Sequence, residues 1–448
     1  MDTAADVIVV GGGLAGLSCA FELVQKDVDV LLLEARPWLG GRTASWIQDG
    51  MPVESGLHRY LGFYHHLPRL LRLAGVVLDD VVFWEDEVEI RSRDGPSGVF
   101  AISPLHRPID TLKTVFSHND LLPPGDKVAL ARFFTAGLAA FLARRSSLDR
   151  VTVRDYAIDH GVGERALNHL LVPLTAGLYF LPPERFSACA FFGLLASGIP
   201  TLPAMRLGGF RGGMTEVMCA PLGAAIDRRG GRIRTGHPVQ SLWLENGAVV
   251  GVVTGGRSLR ARQVVLATSL GPAQRLLAGL QAHQPIDRLM RLQTMPAVTI
   301  QLELDRPSMP LDRTTFGPGT ALASFAEQSR TTFPHAPGRL SIILSPPERF
   351  LHLPPDEVLR LVVEDAAHLG LDLAGHVLRH RIVSEPDDFY ALVPGMHGLR
   401  PTQRTKMPGL VLAGDYTRQR FMATMEGAVV SGSKAARLVA SALRSREP

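Results

Sequence analysis

The sequence predicts an α/β fold in two lobes: a parallel sheet with helices, and a mixed α+β lobe inserted into it. Three stretches predict it. Val7-Ile8-Val9-Val10 runs into Gly11-Gly12-Gly13-Leu14-Ala15-Gly16, and a second apolar run ends at Glu34. Near the other end, Gly409-Leu410-Val411-Leu412-Ala413-Gly414-Asp415 reads as a buried strand, and an apolar helix opens ten residues later at Met425 and runs to about Leu443. Between them lie the apolar runs Val239–Leu242, Val249–Val253 and Val264–Thr268, with the turn pair Asn246-Gly247 among them. An Asn-Gly pair so placed signals a hairpin.

The first stretch has the Rossmann pattern of strand, glycine turn, helix and second strand. Gly11 allows the tight turn, Gly13 lets a pyrophosphate approach the backbone, and Gly16 lets the helix lie close on the strands. Leu14 and Ala15 head the helix, whose free N–H groups and partial positive charge suit phosphates. Glu34 falls eighteen residues after Gly16, where a carboxylate can accept hydrogen bonds from ribose hydroxyls. Ala35 and Arg36 follow it along the same edge.

The next residues indicate which dinucleotide. Gly40-Gly41-Arg42 ends eight residues past the ribose acid, and a nicotinamide enzyme has no evident need of it. FAD, bound extended, has a long pyrophosphate and ribityl chain for which two glycines and an arginine are apt. Gly414 and Asp415 are placed to meet a ribityl hydroxyl or a phosphate-bound water. Met425-Glu426-Gly427-Ala428 opens the last helix with N–H groups for the flavin N1/O2 edge, which gains negative charge on reduction. Gly427, Ala428, Ser431 and Gly432 leave one side of that helix small.

These motifs together resemble the flavin amine oxidase/phytoene desaturase superfamily. Two segments are similar to plant- and cyanobacterial-type phytoene and ζ-carotene desaturases: Gly56-Leu57-His58-Arg59-Tyr60-Leu61-Gly62-Phe63-Tyr64, and Ala413-Gly414-Asp415-Tyr416-Thr417 followed by Thr424-Met425-Glu426-Gly427-Ala428. Hydroxysqualene dehydroxylases share a related pattern. The resemblance is strongest over 5–75 and 385–440. Arg59 departs from it, standing where apolar or aromatic residues are usual, and the chain is shorter than the plant enzymes. The resemblance implies non-covalent FAD, with the backbone at Val239 against the adenine, and hydride transfer between flavin and a hydrophobic isoprenoid substrate, a carotenoid precursor or a squalene-type chain. It makes His58, Tyr60 and Arg206 candidates for contact with substrate or a transient cation. It leaves the electron acceptor open between a quinone and oxygen. Two other readings stay open: a flavin amine oxidase, opposed by Thr424 where an aromatic commonly precedes Met-Glu-Gly-Ala, and a lipid-binding flavoprotein or isomerase without net redox turnover.

Composition sets the outer limits. The 448 residues suffice for two cores, with 46% hydrophobic and 20% charged. A net charge of +4 gives no sign of nucleic-acid binding. Cys19, Cys189 and Cys219 show no paired spacing, as expected in a reducing compartment. No basic leader precedes the first apolar run and no apolar run reaches spanning length, so the expected location is cytoplasmic or peripheral on the inner face of the membrane. The apolar stretch Phe133–Leu142, flanked by Arg132, Arg144 and Arg145, suits a core helix or an interfacial one.

Residues 1–75, 205–295 and 385–448 are expected to form the FAD-binding lobe. Residues 76–204 and 296–384 would form the substrate lobe. His376 and His380, four apart, lack a third ligand at motif spacing, so no metal site is expected. Gly427-x4-Gly432-Ser433-Lys434 misses the phosphate-loop pattern by one place.

Overall fold

The computed structural model describes residues 4–103, 106–198, 205–280 and 282–444. The expected domain edges at 1, 204 and 448, and residues 1–3 ahead of the first apolar run, lie outside the described residues.

Among the described residues the first sheet has seven strands, five of them parallel in the order Arg232–Arg234, Val30–Leu33, Ala5–Val10, Arg257–Leu266 and Leu410–Leu412. Helices cover both faces of such a sheet, so its inner strands are largely apolar; Val30–Leu33 is buried at every position, whereas the edge strand Arg232–Arg234 exposes both arginines. The long strand Arg257–Leu266 serves two partners. Its second half pairs parallel with Ala5–Val10, Val9 opposite Val265. Its first half pairs antiparallel with Ala248–Thr254. That strand is hairpinned to Val239–Glu245 through Asn246 (φ 50°) and Gly247 (φ 73°), both left-handed as the tight turn requires.

Helices Leu14–Val24 and Met425–Arg444 lie side by side. A Cβ on Gly432 would overlap the Ala15 carbonyl oxygen, and the Ser18 hydroxyl donates to the Val429 carbonyl at 3.1 Å. The small face of the last helix thus packs on the first. Gly427 answers a different constraint, lying against the Phe421 carbonyl.

The second sheet, among the described residues, also has seven strands, in the order Val377–Tyr390, Thr294–Leu304, Gly338–Leu344, Leu322–Glu327, Thr315–Phe316, Glu87–Arg91 and Ser97–Ala101. All its pairs are antiparallel except Thr315–Phe316 with Glu87–Arg91. Helix Pro355–His368 buries Val358, Val362 and Ala366 in a core with Ile300 and Phe325. The strand Val377–Tyr390 continues past the expected lobe edge at 384 and ends against the first lobe.

Helices Pro124–Ala143, Val153–Asp159, Val172–Tyr179 and Ala188–Gly198 form a separate layer around Phe133, whose ring lies 5.0 Å from that of Phe192. The stretch Phe133–Leu142 is a core helix along one face. Phe133, Gly137 and Phe141 are buried, and a Cβ at Gly137 would overlap the Phe192 ring. Leu142 is exposed. No helix of the described residues is long and apolar enough to cross a membrane.

Candidate functional site

A cavity of about 630 Å³ opens at the carboxyl ends of the parallel strands, beside Val10, Leu33, Ala267 and Gly414. Parallel sheets bind ligands there, because the following loops and helix N-termini converge on that edge. Helix Leu14–Val24 points its first turn into it, with no side-chain cap bond and no acidic residue in that turn. The far wall is the end of the strand Val377–Tyr390, through Glu385, Asp387 and Phe389.

The glycines of the turn fall into two kinds. Gly11 has φ +110°, and a Cβ there would crowd the Ala267 carbonyl; a Cβ on Gly16 would overlap the Gly11 carbonyl oxygen. The protein itself demands glycine at both. At Gly13 a Cβ would meet nothing nearer than the Gly40 carbonyl at 3.8 Å. Nothing in the protein requires glycine at 13; a ligand against the backbone would.

The Glu34 carboxylate accepts the N–H groups of Gly12 (2.6 Å) and Arg36 (2.8 Å), fixing it at the cavity edge. Arg36 pairs with Glu385, and Arg275 with Asp387, so two ion pairs tie the first lobe to the long strand along the rim. Gly40 (φ +122°) and Gly41 (φ +56°) turn the chain so that Gly40 bridges to Gly13. Arg42 follows, 4.7 Å over the Phe389 ring and ion-paired with Asp415. The second Asp415 oxygen, Oδ2, is buried without a hydrogen-bond partner. An open glycine cradle, uncapped helix amides and a half-satisfied carboxylate along one elongated cavity fit an extended dinucleotide.

His58 is also in the lining. Burial pushes its pKa down to about 4, a shift the Gly56 carbonyl partly opposes and Arg42 reinforces. The ring is therefore neutral near pH 7. Its Nδ1 lies 2.9 Å from the Gly56 carbonyl and must donate to it, which makes Nε2 the lone-pair nitrogen.

Of the expected cofactor contacts, all but Gly16 and Glu426 line the cavity. Gly16 is packed beneath the turn. Glu426 is fully buried and faces away: its carboxylate accepts the N–H groups of His65 (2.8 Å), His66 (2.7 Å) and Leu67 (2.8 Å), capping helix His66–Leu73. Tyr60 and Arg206 do not line the cavity either. Tyr60 sits in a small three-stranded sheet with its ring edge-on to Tyr64, Trp84 and Phe210, and burial raises its phenol well above the usual range. Arg206 lies 3.7 Å over the Trp84 ring. Arg59 is buried in ion pairs with Glu85 (2.7 Å) and Asp312 (2.6 Å), bracing the junction with the second sheet. Sequence reasoning missed Glu385 and Asp387. Their alternation with Phe389 along one strand face was the available signal.

A family model described as flavin containing amine oxidoreductase matches residues 14–440. The 15-cis-phytoene desaturase of Solanum lycopersicum is 26% identical over 97% of this chain and 77% of its own. That of Synechococcus elongatus is 25% identical over 97% and 95%. The zeta-carotene desaturase of Synechocystis is 25% identical over 97% and 96%. Among solved structures, an oxidoreductase from Methanosarcina mazei aligns with a TM-score of 0.75 at 18% identity, covering 96% of this chain and 99% of that one. Putrescine oxidase aligns with a TM-score of 0.71 at 19% identity, covering 98% and 99%.

Proposed function

The chain belongs to the flavin containing amine oxidoreductase family and is a flavin-dependent oxidoreductase; from that premise we propose that it binds FAD non-covalently and desaturates a hydrophobic isoprenoid. The observation that carries the substrate class is likeness to phytoene and zeta-carotene desaturases along 97% of the chain.

Gly13 and the first-turn amides of Leu14 and Ala15 would hold the pyrophosphate. Glu34, Ala35, Arg36 and Val239 would take the adenosine end. Gly40 to Arg42 with Gly414 and Asp415 would follow the ribityl chain, and Met425 and Ala428 would meet the ring. When bound, the flavin supplies a hydride acceptor.

His58 supplies a neutral lone-pair nitrogen in a buried wall. A base held near pKa 4 takes a proton only from a strong acid, which suits the carbon next to a developing allylic cation and spares weaker acids. Phe389, stacked beneath Arg42, keeps that wall apolar and excludes water. Thr424 supplies no second aromatic face to pair with Phe389 around an amine. Its hydroxyl oxygen accepts the Gly427 N–H at 3.0 Å and caps the last helix.

Anaerobic mixing of the FAD-loaded protein with phytoene-type and squalene-type chains tests the reading. Bleaching of the flavin band, with a product two hydrogens lighter by mass, is expected. Amine turnover with peroxide release, as the likeness to putrescine oxidase would favour, overturns the substrate class. A bound lipid with an unbleached flavin overturns redox turnover on that substrate.

A further inference from the structure

Behind the loop that carries Asp415 lies a buried arginine outside the cavity lining. Arg400 is 2% exposed. Its guanidinium NH2 donates to the carbonyls of Asp415 (3.2 Å), Thr417 and Gln419 (3.4 Å), and its Nε to that of Tyr416 (3.4 Å). Among the described residues no carboxylate lies within ion-pair distance of it. Gln403 supports the same loop, donating to the Thr417 hydroxyl at 2.8 Å.

We infer that Arg400 is a positioning residue: by gathering four carbonyls of the loop 415–419 it fixes Asp415 against Arg42 on the cavity wall and so sets the affinity for the flavin. Asp415 is gripped at both ends. Its backbone carbonyl goes to Arg400 and its carboxylate to Arg42. Because Arg400 spends its donors on carbonyls, the Asp415 charge is left for Arg42 and for the cavity. The Nε and Nη2 donors reach different carbonyls of the loop from two positions on one rigid plane, and lysine has no counterpart of the Nε donor. Buried carbonyls deprived of a donor seek other partners, and the loop would move to find them.

The inference rests on the proposed placement of the flavin, and a double-mutant cycle separates the two. FAD dissociation constants are measured by flavin fluorescence for the wild type, Arg400→Lys, Asp415→Asn and the double variant, with far-ultraviolet circular dichroism confirming folding. Arg400→Gln, which keeps two donors, replaces Arg400→Lys if the latter does not fold. If Arg400 acts through Asp415, its substitution weakens FAD binding about tenfold in the wild-type background and less than about twofold in the Asp415→Asn background. The bound flavin spectrum should shift in the first case only. An equal loss in both backgrounds assigns Arg400 to general stability and overturns the inference. A wild type that takes up no FAD overturns the flavin placement itself, and the inference with it.

Discussion

Glu426 accepts the backbone N–H of His66 at 2.7 Å across 360 residues of sequence. The same carboxylate takes the N–H groups of His65 and Leu67, so the start of one helix is capped from the start of another. Glu426→Ala strips an acceptor from all three and should cost about 3 kcal/mol; Glu426→Gln, keeping one oxygen, about half of that. Chemical denaturation of the flavin-free protein reads both. Equal stability of all three proteins would show that water serves these amides as well.

The two kinds of glycine give opposite expectations. Gly13→Ala should change the stability of the flavin-free protein by less than about 1 kcal/mol and raise the FAD dissociation constant by at least about tenfold. Gly16→Ala drives a methyl into the Gly11 carbonyl and should cost about 3 kcal/mol or more before any ligand is added. Thermal melts with and without FAD separate the two. Matching losses would mean that Gly13 is held by the protein.

His58 makes the fold sensitive to acid. Its ordinary pKa of 6.5 is held down to about 4 by burial, so the unfolded chain takes up this proton first. The stabilising contribution is complete above pH 6.5 and is lost as pH falls through about 4. The gap is worth about 3 kcal/mol. His397, held near 4 by burial and by Arg400, Arg145 and Arg418, adds a slope of the same sign. His58→Asn should therefore reduce the loss between pH 6.5 and 4 without abolishing it. An unchanged profile would place the His58 ring in contact with water.

Glu54 acts in the other direction. Burial pushes it up from 4.5 to about 7, against the opposing pull of Gln328 and Arg339. The unfolded chain sheds this proton first, so its contribution is complete below pH 4.5 and disappears as pH rises through 7, again about 3 kcal/mol. Gln328 donates to its carboxylate at 2.7 Å, and Gln301 accepts its backbone N–H at 3.1 Å. Glu54→Gln should flatten the stability profile between pH 5 and 8. A steeper fall in that window would mean that the charged form is the stabilised one.

Much of the cavity was legible because its demands are on backbone. Positive φ at Gly11, Gly40, Gly41 and Gly414 leaves a mark in residue type, and so do the apolar strands that deliver each turn to one edge. Side-chain direction left no such mark. Met425 and Glu426 are neighbours in one motif, yet a helix turns about 100° per residue; Met425 lines the cavity, while Glu426 turns to the amides of His65–Leu67. Tyr60 shares a motif with His58, but the short strand that holds it packs on Trp84. Arg59 looked like a departure from a pattern. Its partners Glu85 and Asp312 come from distant segments, and spacing cannot announce them. Glu385 and Asp387 take their place on the rim from Arg36 and Arg275, which come from distant segments and stand opposite.

The contact of Ser18 with Val429, and of Ala15 with Gly432, fixes a chronology for biosynthesis. A ribosome makes Ser18 411 residues before Val429. Until residue 432 has left the exit tunnel, the crevice lacks a side. Flavin loading is therefore expected only once residue 432 has emerged, and nascent chains stalled short of that point should carry none.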